Sequence, residues 1–219
     1  MLEALLDRLG TNGTLLMPLF NFGFCDGEGF DVNSTPSRMG TLTETARISG
    51  MGVRTQHPIY SFQAIGKHAE LFGATRNRSG YGMDSPFALL WDLDGCIGVL
   101  DLPEQHSMTY YHHVEERLFV PWRYHKTFVG PYTDATGTTR EEAYSLFVRN
   151  IEQGVRTHVD PMGEALWAAG VWKGDRPGEG TGLRIGKVHD IDSMASSVIE
   201  QGQAENMLWK REINHGKAV

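Results

Sequence analysis

The chain has 219 residues, 40% of them hydrophobic and 10% aromatic, which is enough to bury a core and excludes a disordered segment. Its formal charge of −7 repels phosphate backbones, and the short Arg76-Asn77-Arg78 spot is too small to reverse that, so no nucleic-acid partner is expected. The two cysteines, Cys25 and Cys96, lie far apart outside any CxxC and read as two buried thiols; with no apolar run near the roughly 20 residues of a membrane span and no cationic leader, the expectation is a cytoplasmic protein without a membrane partner.

Leu2, Leu5, Leu6 and Leu9 fall at helical spacing, and Gly10 with the following TNG stops that helix. TLLMPLF, residues 14–20, then reads as a short buried strand, an opening typical of an alternating α/β layout. Residues 25–40 are punctuated by glycine and proline. Thr35 caps a predicted helix with Pro36 at its first position, continued by MGTLTETARIS. GVRTQHPIYSFQAIG holds another short strand with a turn at His57-Pro58. Asp84 or Ser85 caps a helix that Pro86 begins, and GCIGVLDLP, residues 95–103, is a glycine-bounded apolar run predicted as a buried strand. A helix capped by Ser107 or Thr109 runs to about Leu118, where Pro121 prevents its continuation. KTFVGPYTDATGTTREEAYSLFVRNI is predicted as a hairpin or turn around TDATGTT followed by a helix from about Thr139. WKGDRPGEGTG, residues 172–182, is predicted as a flexible loop. GLRIGKVHDIDSMASSVIEQ is then a strand followed by a helix capped at Asp192.

The densest chemistry is SMTYYHHVEERLFVPWR, residues 107–123, with His112, His113, Glu115 and Glu116 inside five positions. On a helix His112 shares a face with Glu115 at i+3 and Glu116 at i+4, while His113 points about a hundred degrees away. Three readings follow. A carboxylate one turn from an imidazole makes an acid/base pair able to work near neutral pH. A metal site is weaker, because HHxEE is not HExxH and a further ligand would have to come from His106 or His125. A helix with solvated charges and one core-facing histidine is the third. GxxxxGK[ST], GxGxxG after a strand and GxSxG are all missing. Direct transfer by a base therefore fits better than nucleotide binding or a covalent intermediate.

GTLLMPLFNF, FDVNSTPSRMGTLTE, RTQHPIYSFQAIG, MDSPFALL and MTYYHHVEE occur in that order. Together they resemble the aminoglycoside 3-N-acetyltransferase family, in blocks over roughly residues 1–130 and more loosely beyond. The resemblance implies an α/β/α-type sandwich with a mixed sheet flanked by helices, unrelated to the common acetyltransferase fold. It also implies an enzyme that uses acetyl-coenzyme A, without a metal, to acetylate a small-molecule amine of an aminoglycoside antibiotic. A homodimer is compatible with it. The family block T-x-x-H-x-x-E matches Thr109, His112 and Glu115, which makes His112 the base and Glu115 its orienting carboxylate. Candidate coenzyme contacts are Thr35, Ser37, Arg38, Ser85, Phe87 and Thr109, with plain helix capping as the competing role for Thr35 and Ser85. Candidate acceptor contacts are Asp31, His57, Tyr60, Asp84 and Glu116. Residues 1–219 read as a single acetyltransferase domain that lacks the family's N-terminal strand segment. Tyr60 stands where many resistance enzymes have histidine, and TYYHH also differs from them. These departures leave three other functions open: acetylation of another amino sugar or biosynthetic intermediate, a metal-dependent hydrolase using His112, His113 and Glu116, and an inactive coenzyme-binding family member.

Overall fold

The computed structural model describes residues 1–212. In chain order it forms α1 (Leu2–Leu9), β1 (Thr14–Pro18), β2 (Phe30–Asp31), α2 (Thr41–Ile48), β3 (Val53–Arg54), β4 (Phe62–Gly66) and α3 (Ala69–Gly73). Next come α4 (Pro86–Asp92), β5 (Cys96–Leu100), α5 (Tyr111–Arg117), β6 (Arg123–Thr133) and β7 (Thr139–Arg149). The last elements are β8 (Val155–Thr157), α6 (Asp160–Ala168), β9 (Lys173–Gly174), β10 (Leu183–Lys187), α7 (Val188–Glu200) and β11 (Trp209–Arg211). The chain divides into two compact units: Met1–Pro86 with Lys126–Leu146, and Phe87–His125 with Phe147–Val219. The class is α/β, with sheets flanked by helices, as the sequence predicts. β2 pairs with β6 in parallel, whereas β1 with β4, β5 with β10 and β8 with β11 are antiparallel.

In the first unit the sheet order is β1-β4-β3. β1 meets β4 from Thr14↔Gly66 to Pro18↔Phe62. Pro18 has no N–H to give, which suits a strand at the sheet edge. Leu2 and Leu6 of α1 and Leu42 and Ala46 of α2 pack against Leu15, Met17 and Ile65. The helical 3.6-residue period and the strand period of two thus meet in one core, and each large side chain so buried contributes about 1.5–3 kcal/mol. Gly66 turns the chain out of β4 at φ +117°, and a Cβ there would collide with the Gly13 carbonyl oxygen. Only glycine fits.

In the second unit β10 lies between β5 and β9. α7 packs on β10, α5 and α6. Two buried polar contacts tie this unit together. The Tyr110 hydroxyl donates to Asp192 (3.1 Å), which also receives Arg117 (2.6 Å). Arg184, 1% exposed, reaches Glu104 (3.2 Å) and the Ser107 hydroxyl (3.0 Å).

Several predicted elements differ. Thr35 and Pro36 lie outside α2, which starts at Thr41. The Thr35 hydroxyl instead accepts the Asp31 N–H at 2.8 Å, and its carbonyl accepts Arg54 at 2.6 Å. Ser107 and Thr109 do not cap α5 by side chain; the Ser107 hydroxyl turns back to the Pro103 carbonyl at 2.9 Å. β5 is not buried throughout. Ile97 and Val99 face inward while Cys96, Gly98 and Leu100 are exposed, so the apolar run hides a two-sided strand. Cys96 is therefore an exposed thiol; Cys25 is half-buried, and burial pushes its thiol up to about 11. The predicted helix from Thr139 is a strand, because pairing beside β6 overrides the helical preference of REEA. Arg140 and Glu142 pair at i, i+2 along one strand face, a spacing a helix does not bring together. Asp192 sits inside α7 rather than at its cap. Residues 172–182 begin with β9 and form a closed turn in which the Asp175 carboxylate accepts the Thr181 N–H and hydroxyl at 2.7 and 2.8 Å.

Candidate active site

α5 is a short helix that presents His112 and Glu115 on one face, as i, i+3 spacing requires. His112 Nδ1 lies 3.0 Å from Glu115 Oε2. The His112 side chain keeps 20% exposure, whereas Glu115 keeps 2%. Val120 N–H caps the helix end on the Glu115 carbonyl at 3.2 Å, and Phe119 adopts φ +49° to let the chain reverse. Pro121 opens a turn into β6; Trp122 in that turn and Arg123, the first residue of β6, bring two further groups to the pair. Trp122 Nε1 donates to Glu115 Oε1 at 2.9 Å. Arg123 Nε lies 2.7 Å from Glu115 Oε2, and Nη2 lies 2.8 Å from His112 Nδ1. The Nε–H is not aimed along the line to Oε2, so that contact is an ion pair rather than a hydrogen bond. Nη1 donates to the Phe147 carbonyl at 2.9 Å, which anchors one end of the guanidinium.

Burial alone would raise the Glu115 carboxyl. Arg123, His112 and Trp122 outweigh it and hold the group at about 2, so it is a carboxylate at neutral pH. His112 is held below the ordinary imidazole value, first by burial and then by the Arg123 charge; Glu115 pulls the other way and Arg149 adds to the lowering. The imidazole is therefore neutral at pH 7, the state a base needs.

The other two residues of the cluster point elsewhere. His113 is 2% exposed, with its ring 5.5 Å from that of Tyr110. Glu116 meets His125 at 3.2 Å. Among the described residues, no three His, Cys, Asp or Glu side chains converge on a point where a metal could sit. No described helix is long and apolar enough to cross a membrane.

In the second unit, Phe87 is buried in the first turn of α4, its ring 6.3 Å from that of Tyr110. The Thr109 carbonyl accepts the His112 N–H at 3.0 Å. In the first unit, Ser37 Oγ contacts Thr43 (2.9 Å) and accepts the Met39 N–H (3.1 Å). Arg38 is exposed and pairs with Glu28 at 3.3 Å. Asp31 Oδ1 accepts the Asn33 N–H at 2.7 Å. Asp84 is exposed and Ser85 buried just before α4. Tyr60 is 7% exposed in an aromatic cluster with Phe20 and Tyr81, at 4.6 and 4.8 Å.

His57 is 1% exposed, and its Nδ1 accepts the N–H groups of Ile59 and Tyr60 at 3.2 and 3.1 Å. Burial pushes it down to about 3. An unfolded histidine titrates near 6.5, so between these values the unfolded chain binds more protons and stability falls as pH drops. The expected loss is on the order of 1 kcal/mol per pH unit below 6.5. His112 shifts the same way and adds to it. His57→Asn keeps an acceptor for both N–H groups but cannot titrate. The drop in thermal midpoint between about pH 6.5 and pH 5 should therefore shrink in that variant; an unchanged drop would remove His57 as its source.

The family model of aminoglycoside 3-N-acetyltransferase matches residues 1–185, the greater part of the chain and all of the dyad. The chain belongs to this family. It is an acyltransferase, as aminoglycoside 3-N-acetyltransferases are. Solved structures agree on the fold. The aminoglycoside acetyltransferase AAC(3)-Xa is 24% identical, with a TM-score of 0.76 over 91% of this chain and 79% of that one. AAC-IIIb, solved as a binary complex with CoASH, is 21% identical, with a TM-score of 0.73 over 88% and 79%. Sisomicin-bound AAC-VIa is 19% identical, with a TM-score of 0.75 over 91% and 83%.

Trp122, Arg123 and Arg149 were not among the residues singled out from sequence. Trp122 and Arg123 stand in the quoted stretch, after a proline that forces a turn. That signal places a cation close to His112 along the chain, but only β6 aims it. Arg149 is 37 positions away from His112 and carried no signal.

Proposed function

We propose that the protein uses acetyl-coenzyme A to acetylate an amine of an aminoglycoside by direct transfer, with His112 as general base. The observation that carries this reading is the His112–Glu115 contact, built on a helix turn that matches the family block. An amine is cationic at neutral pH; it must lose one proton to solvent before it attacks a thioester and a second as the amide forms. The neutral imidazole takes the second on Nε2, and Glu115 stabilises the imidazolium through Nδ1–H. The tetrahedral oxyanion then collapses, the thiolate of coenzyme A leaves, and the imidazolium returns a proton to it. A base in this position contributes typically 10² to 10⁴ in rate. The CoASH and sisomicin complexes of two structural relatives support the donor and the acceptor class. Thr35, Ser37, Arg38, Ser85, Phe87 and Thr109 remain the proposed coenzyme contacts. Asp31, His57, Tyr60, Asp84 and Glu116 remain the proposed acceptor contacts. The test is thiol release from acetyl-coenzyme A against a panel of amines.

A second acceptor reading has one observation behind it. An open cavity of about 430 Å³ in the second unit is lined by Arg149, Arg156 and Lys210 against Asp160 and Glu212. Arg149 is near enough for its charge to act on His112. With three cations against two acids, that lining disfavours a polycation, which would have to draw on the acids Asp26, Glu28, Asp31 and Glu116. Exposed charges are screened beyond about 10 Å at 0.1 M salt. For an aminoglycoside steered by acids, the Michaelis constant rises with salt; for a singly charged amino sugar it barely moves. A polycation that is not acetylated, or whose Michaelis constant ignores salt, would leave the single amino sugar as the acceptor.

A further inference from the structure

Two groups make opposite demands on one atom of the dyad. Arg123 Nη2, 2.8 Å from His112 Nδ1, has only N–H bonds to offer and needs a lone pair there. Glu115 Oε2, 3.0 Å from the same nitrogen, is an acceptor and needs a proton there. Nδ1 can satisfy one at a time. With Arg123 served, the neutral ring carries its hydrogen on Nε2; with Glu115 served, the hydrogen is on Nδ1 and Nε2 bears the lone pair. Only the second form can take a proton from an amine at Nε2.

We propose that Arg123 is a positioning residue that competes with the proton for Nδ1 of His112, holding the resting ring in the Nε2–H tautomer until the guanidinium yields Nδ1 to Glu115. The surroundings make this competition sharp. The Arg123 side chain is 6% exposed, and its Nη1 is anchored on the Phe147 carbonyl. Its Nε stays against Glu115 Oε2 at 2.7 Å, so releasing Nδ1 takes a small tilt of the guanidinium and keeps the ion pair. The charged groups that act on His112 include Glu115 on its own helix, Arg123 on β6 and Arg149 on β7. The first favours the imidazolium and the other two oppose it. When His112 does become imidazolium, both ring nitrogens carry hydrogen and Nη2 must leave Nδ1. The Nε2 proton then passes to the leaving thiolate, which leaves the ring Nδ1–H on Glu115; Arg123 regains Nδ1 only after the ring has exchanged that proton for one on Nε2 through solvent. The protons balance: the ammonium gives one to solvent and one to Nε2, and Nε2 passes its own to sulfur.

The inference rests on the proposed role of His112, but its test does not need turnover. ¹⁵N spectra of histidine-labelled full chain, with the His112 signals assigned by their loss in His112→Gln, report tautomer and titration directly. In the native protein the neutral His112 ring should be Nε2–H. In Arg123→Met it should become Nδ1–H, and the ring should titrate about one pH unit higher, because an opposing charge is gone and Glu115 remains. The acid limb of kcat/KM should move up by the same amount. If Arg123→Met does not fold, Arg123→Lys keeps the charge but cannot span both atoms, and it should show the same tautomer change with a smaller shift. A native ring already in the Nδ1–H form, or variants with unchanged tautomer and titration, would overturn the inference whatever their activity. Full activity in His112→Gln would instead overturn the general-base reading and leave the tautomer result standing.

Discussion

His112→Gln is expected to lower acetyl transfer by two or more orders of magnitude at neutral pH while leaving the circular dichroism spectrum and thermal midpoint near the native values. The magnitude is that of a lost general base. The fold survives because the His112 side chain is one-fifth exposed and glutamine still offers an oxygen to Arg123 and an N–H to Glu115. The pH profile supplies an independent check. His112 is held below the ordinary imidazole value, so native activity should rise through a limb below about 6.5 and then level. The variant should lack that limb. A loss of less than about threefold would remove His112 from the role, and a persisting limb would assign the titration to another group.

The sequence exposed most where a period and a stop signal agreed. α1, β1 and the helix beginning at Pro86 follow from leucine spacing, a short apolar run and a proline at a first helical position, all local properties. The dyad was legible for the same reason: His112 and Glu115 sit one turn apart, and a single turn of helix fixes their contact. The misreadings have a common physical cause. REEAYSLF carries good helix formers, and nothing local says that β6 will lie alongside; the partner strand decides. Thr35 precedes a proline as a cap would, yet its hydroxyl is taken by Asp31. Ser107 stands where a cap would stand, yet its hydroxyl serves the preceding turn and Arg184. A hydroxyl at a plausible cap position does not reveal which backbone group it will find. The missed part of the site has the same origin. Arg123 and Trp122 matter because the turn after Pro121 and the start of β6 return them to α5, and Arg149 because β7 lies beside β6.

Glu115→Ala is expected to be the most destabilising single substitution around the site. The carboxylate is 2% exposed and all its neighbours are donors or cations: Trp122 on Oε1, His112 and Arg123 on Oε2. Its stability contribution as an ion is present at neutral pH and is lost as pH falls from the ordinary carboxylate range towards about 2. Removing it leaves the Arg123 guanidinium buried without its counter-charge and the Trp122 N–H without its acceptor. Breaking a buried pair from one side costs about 3–5 kcal/mol. For a chain of this length that lowers the thermal midpoint by on the order of 10 °C. The pair itself need not be stabilising, because desolvating two charges offsets much of their attraction. Glu115→Leu combined with Arg123→Met should therefore recover most of the loss while remaining inactive. Thermal and urea unfolding of Glu115→Leu, Arg123→Met and the double variant close the cycle. A Glu115→Ala loss below about 1 kcal/mol would mean that water or another group replaces the carboxylate. A double variant no more stable than the singles would mean that shape rather than charge holds this corner of the second unit together.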